Sequence, residues 1–141
     1  MNERRYVAAT GALAALGAGI AGYLTFLHYT DGRIACPTGG CETVQSSSYA
    51  ELLGVPVALL GLVAYAAILA ALAWPREAGR WLALSAAVAG TLFSAYLILV
   101  QAYEIGAFCL WCLASDGVVT AIAALAFLRV RAADRHAGAA R

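Results

Sequence analysis

Pro75-Arg76-Glu77-Ala78-Gly79-Arg80 separates two long uncharged runs, Val55 to Trp74 and Trp81 to Tyr103. A polar connector this short leaves room only for an antiparallel helical hairpin. At about 1.5 Å per residue, each run is long enough to cross a hydrocarbon core of about 30 Å. Pro56 stands just inside the start of the first run, where a missing N–H does no harm. Trp74 stands at its far end, as an interfacial aromatic would.

Working outward from the connector, two more spans appear. On the N-terminal side, Tyr6 to about Tyr29 is uncharged and rich in Ala, Gly, Leu and aromatic residues. This run exceeds a usual signal-peptide h-region, and no cleavage site precedes a soluble domain, so it reads as a span. On the C-terminal side, Glu104 to Ala107 makes a brief turn before a run from about Phe108 to Leu128. Arg129 onward reads as a mobile basic tail. Gly11, Ala15 and Gly19, and again Ala86, Gly90 and Ser94, recur at four-residue spacing and predict faces where helices approach closely. Residues 30–54 form the longest polar segment, with turn residues at its front and a short interfacial helix predicted over Thr43 to Leu53.

Composition agrees with this organisation. Hydrophobic residues make up 63% of the 141 and charged residues only 12%, which marks a membrane protein of one domain, residues 1–141. The net charge of +1 conceals an asymmetry: there is no lysine, and all the arginines but Arg33 lie at the chain ends and in the connector. That distribution offers no basic stripe to a nucleic acid. With four spans, about 6–29, 55–74, 81–103 and 108–128, Arg4, Arg5, Arg76, Arg80, Arg129, Arg131, Arg135 and Arg141 share one side and Arg33 alone lies on the other. The positive-inside rule then makes both termini cytoplasmic. The fold class predicted is an all-α bundle of four transmembrane helices, with the 30–54 loop outside.

All four cysteines, Cys36, Cys41, Cys109 and Cys112, emerge on the outer face in this topology, where disulfides persist. Cys109 and Cys112 are one helical turn apart, and Cα atoms roughly 5 to 6 Å apart suit a reversible disulfide. A helix N-terminus favours the nucleophilic thiolate there. Cys36-Pro37-Thr38-Gly39-Gly40-Cys41 supplies a second pair on a flexible loop. Two dithiol pairs on one face can exchange a disulfide through a mixed-disulfide intermediate. Electrons would then pass from a soluble dithiol to the loop pair, on to Cys109, and from Cys112 to an acceptor in the bilayer. Four thiolates could instead hold zinc or an iron–sulfur cluster, but the C-x4-C spacing and the oxidising compartment argue against a metal. Purely structural disulfides are the other alternative, in a non-catalytic membrane subunit stapled by its cysteines.

Cys36-x4-Cys41-Glu42-x-Val44-x-Ser46-Ser47-x-Tyr49, Gly54-x-Pro56, Gly61 and Cys109-x-x-Cys112 together resemble the vitamin K epoxide reductase family in its bacterial, stand-alone form. The resemblance covers nearly the whole chain. It implies a four-helix bundle around a quinone, menaquinone or ubiquinone, in the bacterial inner membrane, acting as a thiol oxidase that regenerates a periplasmic partner of thioredoxin fold. It further implies that Cys36 exchanges with that partner, Cys41 shuttles to Cys109, and Cys112 lies next to the quinone. No thioredoxin-like domain is fused here, so the partner is expected to be a separate protein. DsbB-type membrane oxidases, by contrast, carry the C-x-x-C first and the spaced pair later.

The weaker sites are Ser47, Tyr49, Tyr65 and Asp116. Ser47 matches the family's serine after the loop cysteines, implied to place the loop or polarise the quinone; its other reading is a helix N-cap. Tyr49 and Tyr65 fall at aromatic positions lining the family's pocket, or simply pack. Asp116 lies four residues after Cys112 on the same helix face, at a depth where charge is expensive. It is either a proton source for the quinone or a carboxyl that stays wet or bonds Ser115 and Thr91. Relative to the vertebrate enzymes, Val57 or a neighbour replaces the substrate-holding asparagine, and Asp116 replaces the tyrosine after the C-x-x-C. Reduction of a quinone is therefore expected rather than of vitamin K epoxide with a small-thiol donor.

Overall fold

The computed structural model describes residues 2–74 and 76–140; Pro75 of the connector and Arg141 of the tail lie outside the described residues. Four long helices form the body. Helix α1, Glu3–Thr30, starts at Asn2, whose side chain accepts the Arg5 N–H, and stops at Asp31, which adopts the left-handed conformation with φ 50°. The outer segment holds α2, Gly40–Gln45, then a 3-10 turn, Ser48–Ala50. A two-residue antiparallel ladder follows, β1 Glu51–Leu52 against β2 Val55–Pro56. Helix α3 is Val57–Ala73, α4 is Arg76–Val100 and α5 is Leu110–Ala139. The four long helices pack in a ring in which α1 meets α3 and α5, and α4 meets the same two.

Helices α1, α4 with its extension, and α5 are each long and apolar enough to cross a membrane. Helix α3 is apolar but has 17 residues, about 25 Å. Its predicted first residues, Val55 and Pro56, are drawn instead into the ladder. The turn there, Leu53 and Gly54, has positive φ at both positions, 54° and 79°, the geometry of a tight two-residue hairpin. This ladder also corrects the interfacial helix expected over Thr43 to Leu53. Ser46 and Ser47 break it, because Ser46 takes up the Glu42 carbonyl as a cap and the hydroxyl of Ser47 turns back to the Val44 carbonyl at 2.7 Å.

Two further expectations are revised. The connector is not a separate loop: Arg76 to Arg80 already form the first turns of α4, with Glu77 favourably placed at a helix N-terminus. The basic tail is helical to Ala139. Arg129, expected in that mobile tail, is buried and donates through Nε (2.9 Å) and Nη2 (2.6 Å) to Glu3 Oε1. The ion pair ties the start of α1 to α5.

Lipid tails are as apolar as the side chains, so close van der Waals packing must hold such a bundle together. The core is accordingly built from small residues and a few large ones: Ala14, Ala21, Ala87 and Val119 around Tyr65, Ile68 and Ile122. On α4 the predicted small face is used, since Gly90 approaches Val119 and Ser94 is buried. On α1 it is not. Ala15 and Gly19 are exposed, and the buried stripe is Thr10, Ala14, Gly17, Ala21 and Leu24. Small residues occur all round this helix, so their spacing could not say which face meets a neighbour. Gly17 is where it matters, because a Cβ there would overlap the Tyr65 ring. Gly17→Ala is expected to destabilise the bundle by about 1–3 kcal/mol, read as a lowered thermal midpoint in detergent, with Gly19→Ala, which meets no neighbouring atom, as the control.

Candidate functional site

The site forms where the 31–56 segment folds back over the N-terminus of α5. Disulfides join Cys36 to Cys41 and Cys109 to Cys112, with Cα separations of 6.0 and 5.2 Å. The two pairs meet in one apolar cluster in which Cys41 and Cys109 are fully buried together with Val44, while Cys36 and Cys112 are packed at its edge. The inner sulfurs of the two pairs are thus enclosed, and the outer two remain accessible.

Contacts at both ends hold the loop in this position. The indole Nε1–H of Trp111, inside the C-x-x-C, donates to the Ala35 carbonyl at 2.8 Å. Tyr23 of α1 packs on Trp111 with ring centroids 5.2 Å apart, and its hydroxyl accepts the Ala35 N–H at 3.4 Å. Ala35, next to Cys36, is therefore held from both sides. Gly40 lies directly on the Phe108 backbone, so close that a Cβ would overlap the Phe108 carbonyl. This approach seats Cys41 against Cys109. At the far end of the segment, His28 pairs with Glu51 at 3.1 Å and fixes the hairpin to the end of α1.

Cys109 is the N-cap of α5, and its sulfur accepts the Cys112 N–H at 3.2 Å. Its own N–H donates to Gln101 Oε1 at 2.8 Å. Gln101 opens a π-helical extension of α4, Gln101–Ile105, which Gly106 ends with φ 68°. Insertions of this kind are often found at functional sites. The chain has two glutamines. The other, Gln45, donates from Nε2 to Cys112 Sγ at 3.3 Å. Neither was singled out from the sequence; Gln101, a lone amide in an apolar run, carried a usable signal, whereas Gln45 lies in the polar segment and carried none.

Beside Cys112 is a cavity of about 320 Å³ with a mostly apolar wall, a size suited to a small organic ligand. Ser47, Tyr49 and Tyr65 all line it, as do Gln45 and Gln101. Tyr65 donates to the Ser115 carbonyl at 2.8 Å and meets the Ser115 hydroxyl at 2.9 Å. Ser47 precedes the 3-10 turn, but its side chain does not cap it. Tyr49 is 40% exposed, at the cavity rim. Val57 also lines the wall and brings no hydrogen-bonding side chain. Asp116 is not part of this lining. It is buried on the side of α5 towards Ser94, and its Oδ2 has no hydrogen-bond partner among the described residues. The hydroxyls of Ser115 and Thr91 are engaged with Tyr65 and the Ala87 carbonyl instead.

The sequence that builds this arrangement has relatives. The profile of the vitamin K epoxide reductase family matches residues 8–127. Thiol-disulfide oxidoreductase LTO1 of Arabidopsis thaliana is 33% identical over 106 residues, which cover 66% of this chain and 28% of that protein. The chain therefore spans less than a third of this relative's length. With the matched region running from within α1 almost to the end of the apolar part of α5, and with two cysteine pairs placed for thiol-based redox chemistry, the chain belongs to the vitamin K epoxide reductase family.

Proposed function

We propose that this protein oxidises a dithiol on a separate, extracytoplasmic partner of thioredoxin fold and passes the two electrons to a membrane quinone, menaquinone or ubiquinone. In this reading α3, lengthened at its outer end by the hairpin, is a fourth span. Both termini are cytoplasmic with the arginines, and the cysteines face outward from a bacterial inner membrane. The partner's thiolate attacks Cys36, and the partner's second thiol resolves the mixed disulfide, leaving Cys36 and Cys41 reduced. Cys41 then attacks Cys109, and Cys36 resolves that bond, leaving Cys109 and Cys112 reduced. The quinone supplies a two-electron, two-proton acceptor, so one dithiol and one quinone give one disulfide and one quinol.

The observation that carries this reading is the graded accessibility of the four sulfurs. Cys41 and Cys109 are enclosed together, while Cys112 alone of the four lines the apolar cavity. Disulfides serving only as staples would have no need of that order. The apolar side chain of Val57 in the cavity wall favours a quinone over vitamin K epoxide.

The test uses the purified chain in detergent with a reduced thioredoxin-fold protein and a soluble quinone. Quinol and oxidised partner are expected in equal amounts. Intact disulfides with no quinone consumed would favour the non-catalytic, disulfide-stapled subunit.

A further inference from the structure

The two sulfurs of the C-x-x-C are solvated by the protein in different ways. Cys109 Sγ receives the Cys112 N–H, from the first turn of its own helix. Cys112 Sγ receives its hydrogen bond from outside the helix, from the Gln45 side chain at 3.3 Å. Gln45 is the last residue of α2 and lies four residues after Cys41. That spacing places the two on one face of the helix, so the element carrying the attacking thiol also carries the amide.

We propose that Gln45 is a catalytic residue that stabilises the Cys112 thiolate when the Cys109–Cys112 disulfide is opened. This rests on the relay described above. In that step the Cys41 thiolate attacks Cys109 Sγ, the Cys41–Cys109 bond forms and the Cys109–Cys112 bond breaks. The electron pair of the broken bond leaves on Cys112 Sγ, and no proton is consumed. A disulfide sulfur is a weak acceptor, whereas a thiolate is a strong one, so an N–H already aimed at Cys112 Sγ gains strength where the charge develops. The rest of the surroundings of Cys112 are mainly the apolar cavity wall and cysteine cluster, where an unsupported anion is costly. Because the amide arrives with α2, Cys112 is supported as a leaving group only while Cys41 is seated to attack.

The experiment measures alkylation of Cys112 by iodoacetamide in the full, reduced chain in detergent, resolved from the other cysteines by peptide mass, with no quinone present. Gln45→Leu is expected to slow Cys112 alkylation at neutral pH by about tenfold, with the rate recovering at alkaline pH and Cys36 unaffected. Gln45→Glu keeps the shape and replaces the donor with an anion, so it is expected to slow Cys112 further; it provides the reading should the leucine variant not fold. A Cys112 rate equal to the parent's in Gln45→Glu would overturn the proposal. Since no quinone takes part, a slowed Cys112 in a protein that consumes no quinone would support Gln45 and count against the proposed acceptor.

Discussion

Cys112→Ala is expected to reduce quinone reduction to background with every thiol donor, whereas Cys36→Ala is expected to separate the donors. The contrast follows from where the four sulfurs lie. Cys112 borders the cavity, and without it Cys109 has no partner with which to deliver two electrons. Cys36 is the accessible sulfur of the outer pair, since Cys41 is fully buried. A protein donor, whose reactive dithiol sits on a bulky surface, has to use Cys36. A small dithiol can reach the edge of the cysteine cluster at Cys112 and reduce the inner pair directly. Cys36→Ala should therefore lose nearly all activity with a thioredoxin-fold donor while keeping most of its activity with a small dithiol. The measurement is quinol formation with each donor in turn, and equal loss with both would contradict the order of the relay.

Much of this could be read from the chain, and what could not has definite physical causes. Hydropathy and arginine placement are properties of long segments, and they located the apolar parts of the four long helices, because apolarity over a sufficient length is what hydropathy reads. They missed the polar ends, so α4 starts five residues before the expected Trp81 and α5 runs eleven past the expected Leu128. The cysteines carried their own chemistry in their spacing. Their convergence followed once the loop and the start of the last helix were placed on one face. What remained hidden depended on choices between similar alternatives. Gly17 and Gly19 look equivalent in sequence, yet only Gly17 meets Tyr65. The tail looked polar enough to be mobile until Arg129 found Glu3 at the other end of the chain. Asp116 shares a helix face with Cys112 by number, but its carboxyl is not in the cavity lining while neighbouring Ser115 is. Gln45 and Gln101 carry no motif, and their roles appear only when each is seen against a cysteine.

The adjacent glycines of the loop make the strongest test of whether docking of α2 governs transfer between the pairs. Gly39 has φ 72° and open space around its Cα, so it is needed for its backbone conformation alone. Asparagine tolerates that conformation better than most residues, and Gly39→Asn is expected to leave transfer close to the parent's. Gly40 meets the backbone of Phe108, with the Phe108 nitrogen and carbonyl carbon each 3.1 Å from where a Cβ would lie and the carbonyl oxygen closer still. Backbone cannot swing aside as a side chain can, so Gly40→Ala must lift α2 off the start of α5. Cys41, the next residue, would move with it and leave the buried contact with Cys109. A displacement of about 1 Å at reacting atoms can cost roughly a hundredfold in rate. The expected result for Gly40→Ala is a loss of that order in the single-turnover transfer of electrons from the reduced Cys36–Cys41 pair to the Cys109–Cys112 disulfide. Quinone reduction driven by a small dithiol should fall far less, because the inner pair and the cavity walls from α3, α4 and α5 stay in place and only Val44 and Gln45 are carried away with α2. Transfer at the parent rate in Gly40→Ala would mean that the loop reaches Cys109 without being seated on Phe108.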